Sequence, residues 1–253
     1  MWLYRICLAI AAVVACAHLS VAQTPQKAVL LLNWYLYSEH APFFLGKERG
    51  YFKEAGIDLD IQEGRGSVPT VQAVAAGTAQ FGYAELASVL KAADKGAPVM
   101  TVGILLQKSP MAFIAPREKN IRQPSDLKGK TLALTPGDSL SQVLPLVLRK
   151  AGMKESDINI IGADNRAKLN AVINGQADAM LGYLMDQNLK IEDATKKPVA
   201  VLPFSDYGVN LASSCILITK NTAEKDADLV QRFMNAATRA PEGVVFAARG
   251  SLL

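Results

Sequence analysis

The sequence predicts an α/β protein built as two similar lobes joined by two chain crossings. Three observations carry this. Strand and helix patterns alternate from Ala28 onward, which with a repeated plan argues two similar α/β lobes rather than one sheet. A short block recurs: Ala76-Gly77-Thr78-Ala79-Gln80-Phe81-Gly82 ends a helix on glycine and re-enters a strand, and Asn174-Gly175-Gln176-Ala177-Asp178-Ala179-Met180 does so with the same spacing. Two segments, Val99–Ala115 and Ser205–Ser214, stand where the chain would pass between lobes.

Met1–Ala22 reads as an export leader. Arg5 gives the positive start, Ile6–Ala17 the apolar stretch, and Ser20-Val21-Ala22 a small-residue cleavage site. The apolar run is too short to span a bilayer comfortably. Val13-Val14-Ala15-Cys16 also reads as a lipoprotein box, which would leave Cys16 lipid-anchored. Either way the mature chain is expected outside the cytoplasm, in the periplasm. Cleavage after Ala22 removes Cys7 and Cys16, so Cys215 is left alone without a disulfide partner, in an apolar run that predicts a buried thiol. One histidine and one cysteine make a His/Cys metal site untenable, and no cofactor is expected. The chain carries 27 basic and 23 acidic side chains, a net +4 that falls to +3 when Arg5 leaves. That balance is mild and no dense basic run exists, so nucleic-acid binding has no support. Half the residues are apolar, enough for a substantial core in one large or two small domains.

The elements follow in order. Ala28–Leu32 reads as a buried strand and Leu45–Gly56 as a helix ending in a glycine turn. Ile57, Leu59 and Ile61 alternate with Asp58, Asp60 and Gln62, a half-buried strand. Gly64-Arg65-Gly66-Ser67 turns into a helix over Val68–Ala76, with Ser67 as N-cap, Pro69 in the first turn and Gly77 as the stop. Phe81–Tyr83 is a strand, Glu85–Ala93 a helix, and Val99–Leu106 a strand that Met111–Ala115 continues after Pro110. The plan then restarts with a strand at Thr131–Leu134 and a turn, Thr135–Ser139, into a helix ending at Gly152. Pro145 inside that helix implies a bend or a late start. Strands at Ile158–Ile161, Ala179–Leu181 and Val199–Leu202 alternate with a helix at Asn165–Asn174 and a short one from Tyr183. Ser214–Thr219 and a helix at Thr222–Ala237 would return to the first lobe. Lobe I is thus expected over residues 27–107 and 213–253, lobe II over 111–205, and hinge crossings at 107–111 and 205–213.

The candidate site starts from Asn33–Phe44. Trp34, Tyr35, Tyr37, Phe43 and Phe44 put five aromatic residues into twelve positions, beside His40, the only histidine beyond the leader. A strand end in an open α/β sheet faces the crevice where ligands bind, and aromatic faces with a few polar tips suit a flat organic molecule. Asn33 and Trp34 sit where the strand runs out; Phe43 and Phe44 read as core. Gly66-Ser67 and Gly137-Asp138-Ser139 each offer free backbone N–H groups, a positive helix end and a hydroxyl. Aimed into one cleft they would hold an anionic or strongly polar group; both serines are also expected to cap their own helices. Glu85, at a strand end after Tyr83, reads as an acceptor for an amine or ring N–H, or as a solvated first-turn residue. Tyr183 and Asp186 hold a similar place in the second half, and Gln107 and Ser109 lie at the first crossing. Gly64-Arg65-Gly66-Ser67 lacks the Gly-Lys-Ser/Thr ending of a P-loop. Gly137-Asp138-Ser139-Leu140 matches the opening block of Gly-Asp-Ser-Leu hydrolases, but a serine nucleophile needs a base. His40 lies far upstream and no Asp-x-x-His exists.

Leu32-Asn33-Trp34, Glu39-His40-Ala41-Pro42-Phe43, Gly50-Tyr51-Phe52-Lys53-Glu54-Ala55-Gly56-Ile57-Asp58-Leu59, Gly64-Arg65-Gly66-Ser67 and Val74–Gly82, in this order and spacing, resemble the NMT1/THI5-like substrate-binding proteins of ABC transporters. Asp126-Leu127-Lys128-Gly129-Lys130 and Asn174–Ala179 extend the resemblance, which covers about Val29–Ala237. It implies a two-lobed periplasmic-binding-protein fold of the second type, a monomer that hands a small solute to an inner-membrane ABC permease, and no enzymatic activity. Trp34, Gly66-Ser67 and Ser139 fall where relatives place ligand contacts. Two departures stand out. The family pattern is lost after Ala240, so the chain reads as truncated, with lobe I incomplete. The yeast members consume their own histidine to make a thiamine pyrimidine with the help of a cysteine-rich motif, and that motif is absent here. The aromatic block favours a heteroaromatic ligand, such as a thiamine-pyrimidine precursor or a flavin-like compound. Sister groups carry sulfonates, taurine and nitrate, but Glu85 and Asp186 would repel a bare anion. A sensor module read by a signalling partner is the alternative function.

Overall fold

The computed structural model of the chain describes residues 24–250, with side chains through Arg239; the expected leader, with Cys7 and Cys16, lies outside them. The strands are β1 (Gln26–Leu31), β2 (Ile57–Gln62), β3 (Phe81–Glu85), β4 (Val99–Ile104), β5 (Met111–Pro116), β6 (Thr131–Leu134), β7 (Asn159–Gly162), β8 (Ala179–Tyr183), β9 (Val199–Pro203) and β10 (Ser214–Thr219). They form two five-stranded sheets, ordered β2-β1-β3-β10-β4 and β7-β6-β8-β5-β9. Each sheet has the same plan. β1 runs parallel to β2 and β3, as β6 does to β7 and β8. In each sheet one further strand runs antiparallel to both its neighbours: β10 between β3 and β4, and β5 between β8 and β9. β10 and β5 are the strands that follow the two crossings.

Burial explains the order within each sheet. β3 and β8 are buried along their whole length and sit centrally, whereas β2 alternates Ile57 and Leu59 inside with Asp58 and Asp60 outside, and β7 is exposed throughout at an edge. The helices are α1 (Ala41–Glu48), α2 (Tyr51–Glu54), α3 (Ser67–Ala75), α4 (Leu86–Asp94), α5 (Ser139–Lys150), α6 (Asn165–Ile173), α7 (Gln187–Thr195), α8 (Lys220–Lys225) and α9 (Ala227–Gly250). None is long and apolar enough to cross a membrane. The expected helix over Leu45–Gly56 is two helices, because Gly50 takes a left-handed φ of 78° between them. The expected continuous strand through Val99–Ala115 is also two strands. β4 ends at Ile104 in the first sheet, and residues 105–110 carry the chain to β5 in the second. Pro145 lies inside α5, which starts at Ser139, so no late start occurs.

The core of the first lobe packs Leu30, Leu32, Phe43 and Phe52 with Phe81, whose ring stacks on Phe233 of α9 at 3.8 Å. Phe44, by contrast, is exposed. In the second lobe Phe113, Leu144, Leu148 and Phe204 share one core. Cys215 is fully buried in β10, and burial pushes its thiol up to about 11, as an inert structural residue requires.

Candidate functional site

The C-terminal ends of the parallel strands of both sheets face one another. The register within the two sheets corresponds: Leu30 of β1 pairs with Phe81 of β3, and Leu132 of β6 with Ala179 of β8. Counting along the strands, Glu85 and Tyr183 occupy equivalent positions. They meet, with the Tyr183 hydroxyl donating to Glu85 Oε1 at 2.8 Å.

Asn33 and Trp34 leave the end of β1 and are buried. Gly64 lies so close that a Cβ on it would stand 1.8 Å from the Leu32 carbonyl oxygen, so only glycine fits where this loop passes β1. Gly66, at a φ of 133°, is the N-cap of α3 and makes no side-chain cap. Ser67 is therefore the first helical residue rather than the expected cap. Its hydroxyl instead accepts from the Glu85 N–H at 3.1 Å. Ser139 is displaced from the cap in the same way, because Asp138 before it takes that role and accepts from the Ser141 N–H at 2.7 Å. A carboxylate is the better acceptor for a helix start. Ser139 Oγ then lies 3.4 Å from the Tyr183 hydroxyl.

Asn33, Trp34 and Ser67 from one lobe, and Ser139, Leu140, Lys168, Gly182, Tyr183 and Gln187 from the other, enclose a cavity of about 10 Å³, barely room for one water. Three polar clusters surround it. In the first, Glu85 is 1 % exposed and accepts from Tyr183 and from Ser213 Oγ at 2.9 Å. Glu39 stands beside it and accepts from the hydroxyls of Tyr83, at 2.6 Å, and of Tyr37 and Ser214. Burial, then the Glu39 charge, push the Glu85 carboxyl up to about 7 against the pull of these hydroxyl donors. Burial likewise holds the Tyr83 and Tyr183 hydroxyls well above the ordinary range. In the second cluster the Tyr35 hydroxyl donates across the lobes to Asp186 at 2.7 Å, and Lys190 pairs with Asp186 at 2.6 Å. In the third, Lys168 Nζ lies 3.7 Å from Asp138 Oδ2 and 4.8 Å from the centroid of the Trp34 ring. Burial pushes the lysine down and the aspartate up.

The fold thus gathers Asn33, Trp34, Gly66, Ser67, Glu85, Ser139, Tyr183 and Asp186 at one interlobe wall or directly behind it. His40 is buried just outside, with Nε2 2.9 Å from Asn33 Oδ1, and burial lowers its pKa to about 4. Gln107 is exposed on the first crossing, away from the cavity. Glu39, Lys168, Gln187 and Ser213 join the cluster without having been singled out in the sequence, as does Tyr35, which was marked there only as part of the aromatic block. For Lys168 a signal exists: it shares a helix face with Ala171 and Val172, both buried.

Two α/β lobes of this topology, with strand ends opposed across a closed cleft, define the periplasmic-binding-protein fold. The chain superposes with a TM-score of 0.72 on the alkanesulfonate-binding protein SsuA from Xanthomonas axonopodis pv. citri bound to MOPS, at 20 % identity over 90 % of this chain and 76 % of that one. The chain belongs to the NMT1/THI5-like family, whose pattern matches residues 37–245. Among curated relatives, the riboflavin-binding protein RibY of Chloroflexus aurantiacus is 28 % identical over 85 % of this chain, which spans 62 % of that relative's length. A 4-amino-5-hydroxymethyl-2-methylpyrimidine phosphate synthase of Legionella pneumophila is 23 % identical over 87 % of this chain and 70 % of its own.

Proposed function

We propose that the chain is an extracytoplasmic solute receptor of an ABC importer, which captures a small organic nutrient between its lobes and delivers it unaltered to an inner-membrane permease. The observation that carries this is the Tyr183–Glu85 hydrogen bond. It joins equivalent strand ends of the two lobes over a shared cavity, as a clamp closing on a solute requires. Contacts split between lobes favour the closed state, and that differential affinity moves the population. The cavity leaves no room for a nutrient until the lobes part, so entry requires rotation about the crossings at 105–110 and 204–213.

Capture rather than synthesis is supported by the chemistry at hand. His40 is buried against Asn33 and Cys215 is sealed in the core. The Ser139 hydroxyl has Tyr183, not an imidazole, as its partner, so a hydrolase triad finds no base there. The ligand we favour is a heteroaromatic, with Trp34 stacking and Glu85 and Tyr183 setting orientation. A thermal-shift screen with pyrimidines, riboflavin and sulfonates tests the reading, since binding to the native state alone raises the melting temperature. Stabilisation by one class, without turnover of the compound, is the expected result. Conversion of the compound would overturn it.

A further inference from the structure

We infer that Lys168 and the Trp34 indole N–H form a two-donor subsite for acceptor atoms on the edge of a flat, uncharged heterocycle, with Asp138 balancing the lysine's charge. The inference rests on the receptor reading above and names the ligand chemistry within it. The Lys168 side chain is 0 % exposed, yet its Nζ has no hydrogen-bond partner; its ion-pair partner, Asp138 Oδ2, stands 3.7 Å away and also lacks a hydrogen bond. Trp34 Nε1 is buried and unpartnered as well. Lysines are almost never fully buried unless paired, and orphaned buried polar atoms call for an explanation. Among the described residues five side-chain atoms are in this state; three of them belong to Trp34 and Lys168, which line the interlobe cavity, and to Asp138 beside Lys168. Trp34 and Lys168 both line it, one from each lobe, and the ammonium sits 4.8 Å from the indole centroid. The two donors therefore approach a ligand from opposite lobes; because the cavity as shut here holds barely one water, a bound heterocycle holds the lobes slightly further apart, with one donor reaching it from each side.

Charge decides the ligand class. Asp138 already neutralises Lys168. A sulfonate or carboxylate placed here would leave a surplus negative charge beside Asp138 in a desolvated site, which is costly. A ring nitrogen or ring carbonyl satisfies both donors and adds no charge. Tyr183 lines the same cavity and supplies a further polar contact.

The test titrates 4-amino-5-hydroxymethyl-2-methylpyrimidine, riboflavin and MOPS calorimetrically into the wild type and the double variant Lys168→Met/Asp138→Asn. That variant removes both charges together and keeps an acceptor for the α5 cap, and circular dichroism checks its fold. One of the two heterocycles is expected to bind the wild type, and to bind the double variant about tenfold or more weakly; MOPS is expected to bind neither. Trp34→Phe keeps the ring, removes the N–H and should weaken the heterocycle about threefold to tenfold. A heterocycle that binds both variants as tightly as the wild type overturns the subsite, leaving Lys168 and Asp138 a purely structural pair. Binding of MOPS alone overturns the subsite but keeps the receptor. Binding of none of the three removes both readings.

Discussion

Glu85 shows at the scale of one residue how the site stores a pH response. Its carboxyl titrates at about 7 in the fold against an ordinary 4.5, so the native state holds the proton more tightly than the unfolded chain. The resulting stabilisation is complete below about pH 4.5 and is lost as pH rises through about 7, a change of roughly 3 kcal/mol. Urea melts of the wild type and of Glu85→Gln should therefore differ in their pH dependence: the stability of the wild type relative to the variant should fall from about pH 5 to about pH 8, and a difference that stays constant or grows would refute the assignment. His40 acts in the opposite sense over an overlapping range, so the comparison with the variant rather than the absolute slope isolates Glu85. Burial holds it at about 4, below its ordinary 6.5, so its contribution stands above 6.5 and is lost as pH falls through 4. Lys168→Met alone strands Asp138 without a counter-charge and should cost about 3–5 kcal/mol, more than Lys168→Met/Asp138→Asn, which removes both charges. Denaturant unfolding of the two variants checks the order. Asn33, Trp34 and Tyr183 were legible in the sequence because strand ends of open α/β sheets mark the crevice. Lys168 was not, because a lysine reads as solvated unless its helix face is compared with its apolar neighbours.

Among elements, the turns rather than the helices fix the geometry. A Cβ on Gly64 would stand 1.8 Å from the Leu32 oxygen, backbone against backbone, whereas Gly77, at a φ of 76°, has open space around it. Gly64→Ala should therefore destabilise by more than about 2 kcal/mol, and Gly77→Ala by only about 1 kcal/mol from its left-handed conformation. Thermal melts of the two variants separate steric collision from dihedral strain. Most elements were readable from alternation and glycine stops. The errors have local causes: Gly50 divides one apolar run into α1 and α2, and the cap position shifts by one residue when glycine or aspartate precedes a serine. The register that sets Glu85 against Tyr183 was not readable, because it depends on how two separate sheets are juxtaposed.

Across the whole molecule, closure rests on few contacts. Tyr183 to Glu85, Tyr35 to Asp186, Gln187 and Lys190 to the Tyr35 hydroxyl, and Gln142 to Ser88 at 3.2 Å link the lobes by side-chain hydrogen bonds. Tyr183→Phe removes one of them and leaves Glu85 only the serine donors of its own lobe, so it should shift the population toward open forms. Small-angle scattering should then report a larger radius of gyration, and an unchanged radius would argue that this bond does not govern closure. The repeated plan of the two sheets was visible in the recurrent helix-glycine-strand block; the crossings were visible only as segments long enough to serve. The placement of β10 has a further consequence, for the order in which the chain matures. It lies between β3 and β4, and Cys215 contacts Ala84 across 131 residues. Until that strand leaves the ribosome, β4 has no neighbour in its sheet, while β5 to β9 find every partner within their own contiguous stretch. Distant pairings form slowly, so the half made second should settle first. Pulse-labelled amide exchange should find protection in β5 and β8 before it reaches β3 and β4.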